Sequence, residues 1–331
     1  MRKIVVLDGY TLNPGDISWD AFSELGELVV HDRTDPQLVA ERIEDAEIVL
    51  TNKTVICSSD LEQAKKLEYI GILATGLNIV DLPAATANNI VVTNVPSYGP
   101  EAVSQYAIAL LLEIASQVGL HSRAVLDGAW QTQEDFAFTL SPLIELNGKN
   151  CGIIGLGAIG GQTARVVQAL GMKVYAHTFD PDPALESDSL RFVDLPTLYE
   201  NADVIFLHCP LTAENAHFIN RESIAQMRDG VIIINNARGG LIQEDDLAEA
   251  LNSGKVYAAG VDVVSSEPIS PDNPLLKAKN IFITPHISWA AKETRARLMQ
   301  MAADNLKAFL KGEDLNKVNQ RDESIGRKPL P

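Results

Sequence analysis

The sequence predicts an α/β protein: a doubly wound parallel sheet in its larger part, together with a second α/β unit. Three observations carry this. Short apolar runs recur along the chain with helix-period stretches between them. One such run, residues 150–154, leads directly into Gly155-Leu156-Gly157-Ala158-Ile159-Gly160 and then into a helix. At 331 residues and 46% hydrophobic, the chain is too long for one comfortable core and has enough apolar material for two.

In chain order, the runs at 4–7, 47–50, 69–73 and 90–92 read as strands of a first α/β unit. Residues 101–118 form a long helix candidate, almost wholly apolar from Tyr106 to Leu112, expected to lie between layers and to bridge the two domains. After the glycine turn, the helix 162–170 carries Ala164, Val166, Val167 and Leu170, stops at Gly171, and leads to a strand at 173–177. Further strands follow at 204–208, 231–235, 256–261 and 281–284, each preceded by a plausible helix such as 224–227 or 244–251. Six strands alternating with helices are what a doubly wound sheet needs. Residues 292–310 are again helical, with Leu298, Met301, Ala302, Leu306 and Phe309 on one face, free to return to the first domain. Residues 319–331 are polar, hold two prolines and read as a loose tail.

The glycine turn is a cradle for a pyrophosphate. Gly155 allows the tight turn, Gly157 lets backbone approach the phosphates, and Gly160 lets the helix pack closely on the strand. The helix start then offers unpaired N–H groups and a positive dipole end. A bare G-x-G-x-x-G also occurs in ordinary turns, but the strand–turn–helix–strand context here has the size of a dinucleotide-binding unit.

Composition narrows the classes. The formal charge of −17, from 44 acidic against 27 basic residues, repels nucleic acid and anionic lipid, while a small anionic substrate still fits if a few cations are focused in one cleft. No apolar run is long enough to span a bilayer, and Asp8 interrupts the apolar start before it could act as a signal sequence, so a cytoplasmic location is expected. Cys57, Cys151 and Cys209 are widely separated with no metal-ligand spacing; buried free thiols and no metal are expected.

Ligands of such sheets bind beyond the carboxyl ends of strands, which singles out three segments: Asn235-Asn236-Ala237-Arg238-Gly239-Gly240, the run from Asp262 to Pro268, and Pro285-His286. Arg238 alone could be a surface arginine or a helix-dipole partner. Its planar fork, however, suits a carboxylate, and the two glycines leave room for a ligand. Glu267 alone could be a solvated loop acid and His286 a structural histidine. As a pair, the carboxylate would orient the imidazole and favour its charged, proton-donating form, which suits a general acid.

On these residues the chain resembles the NAD-dependent D-2-hydroxyacid dehydrogenases over nearly its whole length. The motifs that carry the resemblance are Ala74-Thr75-Gly76-Leu77-Asn78, Gly155 to Gly160, His208-Cys209-Pro210-Leu211-Thr212, Asn236-Ala237-Arg238-Gly239, Asp262 to Pro268 and Pro285-His286. Within that family it is most similar to bacterial glycerate dehydrogenases, or hydroxypyruvate reductases, through Val92-Thr93-Asn94-Val95-Pro96-Ser97-Tyr98-Gly99 and His286-Ile287-Ser288-Trp289-Ala290. The resemblance implies a Rossmann cofactor domain, expected at 101–289, and a flavodoxin-like, discontinuous substrate domain, expected at 1–100 plus 290–318.

It further implies that Arg238, Glu267 and His286 are catalytic. Arg238 would bind the substrate carboxylate with the backbone of Thr75, Gly76, Leu77 and Asn78, and His286, held by Glu267, would exchange the proton. Cofactor contacts are implied at Ser104, Gly155, Gly157, Ala158, Ile159, Gly160, Thr178, Asp180, Cys209, Pro210, Ala237 and Asp262. Trp289 reads either as a packing aromatic or as a pocket wall favouring a small keto acid such as hydroxypyruvate or glyoxylate.

Thr178 stands where the family often has an aspartate, Asp180 follows, and no Lys or Arg lies between Lys173 and Arg191, so NAD is expected with NADP open. A homodimer is implied, built through the cofactor domains with the segment 121–146, containing Trp130 and Phe136, as an arm. Competing readings are a D-lactate-type substrate, 3-phosphoglycerate, which meets no cation in the 74–80 turn, and an NAD(H)-sensing binding protein resembling transcriptional corepressors. Formate oxidation fits poorly because Pro285 precedes the histidine.

Overall fold

The computed structural model describes residues 1–319 and divides into two compact units: Met1–Gly99 together with the chain from Ala290 onward, and Pro100–Trp289. The first holds a five-stranded parallel sheet of β1 (Lys3–Val6), β2 (Glu27–Val30), β3 (Ile48–Thr51), β4 (Tyr69–Ile72) and β5 (Val91–Thr93), in the order β2-β1-β3-β4-β5. This is the flavodoxin-like order. β3 and β4 are buried at every position, as strands covered on both faces must be. β2 has no counterpart among the apolar runs read from the sequence. It lies at the sheet edge with Glu27 and Val30 exposed, so half a strand's apolar signal suffices there.

The closing helix spans Lys292–Leu310, as its spacing predicts, and packs on β4. Leu298, Ala302 and Leu306 are buried, and Met299 takes the enclosed position expected for Met301. Its first turn also buries Arg295, which donates through Nε to the Ala290 carbonyl, through Nη1 to the Leu12 carbonyl, and through both Nη atoms to Asp16 at 2.8 and 2.7 Å. The fork engages four of the five guanidinium N–H groups and holds the Asp16 carboxyl below the usual carboxylate range.

Asn319 corrects the expectation of a tail beginning there. Its side chain is buried, accepts from Val92 N at 2.8 Å, and donates to the Ile90 carbonyl at 2.8 Å and to Thr86 Oγ1 at 3.1 Å. A polar amide serves a strand's unpaired backbone better than an apolar residue could, so polarity at this position marks docking. The rest of the expected tail, 320–331, lies outside the described residues.

The second unit has seven parallel strands: β6 (Asn150–Ile154), β7 (Lys173–His177), β8 (Leu190–Phe192), β9 (Val204–Leu207), β10 (Val231–Asn235), β11 (Val256–Val261) and β12 (Ile281–Ile283). Their order is β12-β11-β10-β9-β6-β7-β8, so the winding reverses between β6 and β9. The sequence reading has six of these. The missing β8 is a three-residue edge strand with Arg191 exposed at its centre. In β9, Ile205 and Leu207 enter one core cluster while Val204 and Phe206 enter the other, the period-2 alternation of a strand covered on both faces.

The long helix covers Pro100–Ser116 and belongs to this unit. Its apolar face ends at Ala115, Gln117 takes a left-handed φ of 49°, and a second helix, Val118–Leu126, departs at 58°. No single helix among the described residues is long and apolar enough to cross a membrane. Of the three thiols only Cys151 is buried. Cys57 is exposed because it stands at the start of the helix Ser58–Gln63, its Sγ 2.9 Å from Asp60 Oδ2.

Candidate active site

β10, β11 and β12 are parallel neighbours, so the chain leaves all three at the same sheet edge. After β10, the fully buried Asn235 folds the turn on itself: its Oδ1 accepts from Ala237 N at 3.0 Å and its Nδ2 donates to the Arg238 carbonyl at 2.9 Å. Asn236 ties the same turn to the Val103 carbonyl at 2.8 Å. Arg238 thereby stands exposed, with Nη1 donating to the Ala237 carbonyl at 2.6 Å. The role of Asn235 is absent from the sequence reading, although an Asn closing a strand before a turn is the signature of a side chain bonding its own backbone two residues on.

The next loop presses against this turn. A Cβ on Gly239 would lie 2.0 Å from the carbonyl carbon of Val264 and 2.5 Å from Ser265 N, so only glycine fits and the loops after β10 and β11 meet backbone to backbone. Glu267, in the second loop, accepts from Val264 N through Oε1 at 3.3 Å and faces His286 Nδ1 through Oε2 at 2.7 Å. An ionised carboxylate only accepts, so Nδ1 carries the hydrogen and Nε2 is the atom left for proton exchange with a ligand. The imidazole is about a quarter exposed.

His286 has a left-handed φ of 55°, rare for a residue with a Cβ. Its neighbours hold it there. Asp262, 1% exposed at the end of β11, accepts from Thr284 Oγ1 at 2.6 Å and Ile287 N at 2.9 Å through Oδ1, and from Ser288 N at 2.8 Å through Oδ2. Trp289 Nε1 donates to the His286 carbonyl at 2.9 Å, and the indole is almost fully enclosed. The packing reading of Trp289 thus has a specific contact: it braces the histidine's own backbone.

The cofactor set divides. Gly155 has φ +98° and supports a turn in which a Cβ would lie 2.7 Å from backbone atoms of His208 and Cys209. Gly160 comes so close that its Cβ would be 2.1 Å from the Gly155 carbonyl oxygen. Gly157 begins the helix Ala158–Ala169 with no side-chain cap, and nothing lies within 4 Å of where its Cβ would be. Gly157 and Ala158 are exposed and Ile159 half-buried, so the helix start is open to an anion. Thr178 and Cys209 are half-buried, Asp180 and Pro210 exposed, and Ala237 half-buried.

Ser104 and Asp262 stand apart from that set. Ser104 is fully enclosed and accepts from Thr163 Oγ1 at 3.1 Å, while Asp262 is occupied by the loop after β12. Thr163 also meets His208 Nε2 at 3.0 Å. Desolvation pushes the His208 imidazole down to about 3, so it stays neutral at working pH and does not compete with His286 as an acid. Thr75, Gly76, Leu77 and Asn78 belong to the first unit, in the turn after β4. That turn is pinned by Thr75 Oγ1 donating to the Val95 carbonyl at 3.0 Å and by Asn94 Nδ2 donating to the Thr75 carbonyl at 2.8 Å.

Residues 108–288 match the family model described as D-isomer specific 2-hydroxyacid dehydrogenase, NAD binding domain. The chain is 55% identical to a hydroxypyruvate reductase of Blautia hydrogenotrophica, over 96% of this chain and all of that one. It is 35% identical to a glycerate dehydrogenase of Methylorubrum extorquens, over 96% and 99%. Among solved structures, the apo D-lactate dehydrogenase of Escherichia coli superposes with a TM-score of 0.81 at 29% identity, covering 96% of this chain and all of that chain.

Asp262→Ala strips three donors of their acceptor around His286. Turnover of a 2-keto acid is expected to fall by about 10²-fold, the scale of a small misplacement of a reacting group. Steady-state rates check this, and a rate near that of the unaltered protein would show that the clamp does not position the imidazole.

Proposed function

The chain belongs to the D-isomer specific 2-hydroxyacid dehydrogenase family, and from that premise we propose that it reduces hydroxypyruvate, and glyoxylate as a second substrate, to the D-2-hydroxy acid with NADH. It is an oxidoreductase acting on the CH–OH group of 2-hydroxy acids with a nicotinamide dinucleotide. The observation that carries the chemistry is the 2.7 Å Glu267–His286 pair at the sheet edge from which the Arg238 turn also emerges.

The glycine cradle fits the dinucleotide: an open helix start, a left-handed glycine and a strand–helix contact that excludes any Cβ. When bound, that group supplies or accepts the hydride at substrate carbon 2. The guanidinium of Arg238 grips the substrate carboxylate and polarises the 2-keto oxygen. His286 gives its Nε2 proton to that oxygen as it gains charge, and Glu267 keeps Nδ1 protonated and the ring oriented. Oxidation runs the same proton transfer in reverse. The choice of hydroxypyruvate rests on the 55% identical relative of that name.

NAD is proposed over NADP. Beyond β7 the chain offers Thr178, Asp180 and Asp182 and no cation before Arg191. Arg191 stands beside Tyr175 in the β7–β8 register, short of the strand's carboxyl end, so a ribose 2′-phosphate meets carboxylates first. A homodimer is proposed as well. The segment after the long helix leaves Leu126, Trp130, Phe136, Leu140 and Leu143 exposed, Phe136 at 92%, and a second copy of this chain is the partner proposed to cover them.

A panel of 2-keto acids assayed with both reduced nicotinamides is expected to show hydroxypyruvate and glyoxylate ahead of pyruvate and NADH ahead of NADPH; preference for a larger keto acid or for NADPH would overturn those assignments. His286→Ala is expected to lower turnover by roughly 10²–10⁴-fold. Light scattering coupled to gel filtration is expected to give twice the chain mass, and a monomer at micromolar concentration would contradict the dimer.

A further inference from the structure

We propose that Glu244 is a positioning residue that couples the Arg238 turn to the Glu267–His286 pair; the proposal rests on the reading of that pair as the proton-transfer group. Glu244 is the first residue of the helix Glu244–Ser253, a few residues beyond Arg238. Its carboxylate reaches out of the helix to the loop after β11. Oε1 accepts from Ser265 N at 2.7 Å, and Oε2 accepts from Ser265 Oγ at 2.7 Å and from Asn273 Nδ2 at 2.9 Å. Asn273 is itself buried, and its Oδ1 accepts from Leu275 N at 3.0 Å, so the far end of the same loop is tied to the same carboxylate.

The neighbouring backbone shows what this grip controls. Val264 N, one residue before Ser265, donates to Glu267 Oε1 at 3.3 Å. Two successive N–H groups are thus divided between two carboxylates, Glu244 on one side and the histidine's partner on the other. Gly239, next to Arg238, presses on the same peptide unit, its would-be Cβ only 2.0 Å from Val264 C. The Val264–Ser265 peptide is therefore held by Glu244 and backed by the arginine's turn, while Glu267 holds the N–H of the peptide immediately before it. Charge-assisted bonds at 2.7 Å are the strong members of this set, and both belong to Glu244.

A favourable charge at a helix start does not account for the arrangement. Asp245 and Asp246 already put carboxylates in the first turn, yet Glu244 spends both oxygens on a loop 21 residues away. Glu244 meets the site through Ser265, whose neighbour Val264 donates to Glu267. Its loss frees the peptide that backs both the anion-gripping turn and the general acid's partner, so the effect falls on substrate turnover and substrate KM together and spares the dinucleotide.

The test is a double-mutant cycle on the full-length protein. Glu244→Ala is expected to lower kcat/KM for hydroxypyruvate by about 10- to 10²-fold through both kcat and KM. NADH affinity, read by fluorescence titration, is expected to stay within about twofold, and Glu244→Gln, which keeps one acceptor oxygen, to recover part of the loss. In a Glu267→Gln background the same Glu244→Ala change is expected to cost far less. Equal costs in both backgrounds, or a normal kcat/KM in Glu244→Ala, overturn the proposal. Should Glu244→Ala fail to fold, Glu244→Gln enters the cycle in its place, and equal costs there overturn it as well. A His286→Asn variant run alongside separates the two readings: near-normal rates in it overturn the acid assignment and this role for Glu244 together, whereas an inactive His286→Asn beside an additive cycle overturns the Glu244 role alone.

Discussion

Parallel strands end on one edge, and that constraint organises the second unit. Hydrogen-bond register between β10, β11 and β12 leaves no freedom about where their following loops emerge. Arg238, Glu267 and His286, widely separated along the chain, each belong to a loop following one of three adjacent strands. Adjacency alone brings loops near one another; it does not aim side chains. Aiming is done by buried polar groups one step behind: Asn235 folding the first turn, Asp262 gripping the loop of the histidine, and Trp289 bracing its backbone. Each outward-facing group has an enclosed one that orients it or its neighbour, as expected where a reacting group must be held to a fraction of an ångström.

The same architecture explains how a strongly acidic chain can serve an anionic substrate. The net charge of −17 belongs to the whole chain, while the groups proposed to meet anions are local: the exposed guanidinium of Arg238 and the uncapped start of the helix Ala158–Ala169. At physiological ionic strength, charges farther away than about 8 Å are largely screened, so local donors decide what binds. His208 shows the complementary strategy. Its ring is desolvated and bonded to Thr163, which keeps it neutral and structural within the same unit that exposes a second, carboxylate-backed imidazole.

Much of this was legible in the sequence, for physical reasons that differ by element. The glycine turn was readable because each glycine answers a steric demand, visible as the contacts a Cβ would make at 155 and 160. The helix Lys292–Leu310 was readable because its apolar spacing is unbroken. β2 and β8 were not, because edge strands need only part of an apolar run, and the break at Gln117 was not, because apolar residues continue past it while the buried face stops. At the site, residues that face a ligand follow strands in recognisable motifs. Those that hold them, such as Asp262 and Glu244, bond to partners 21 to 29 residues away, and no local pattern announces those partners.

The docking of Asn319 has a consequence for how the first unit is bounded. β5 lies at one edge of its sheet, and an open edge invites pairing with another chain. Here the returning chain lies along it: Val318 N donates to the Val92 carbonyl, Lys317 bridges Thr93, and the Asn319 amide closes the row by meeting Val92 N and the Ile90 carbonyl. Residues 317–319 thus work as a selvedge that keeps the sheet from unravelling sideways or recruiting strangers.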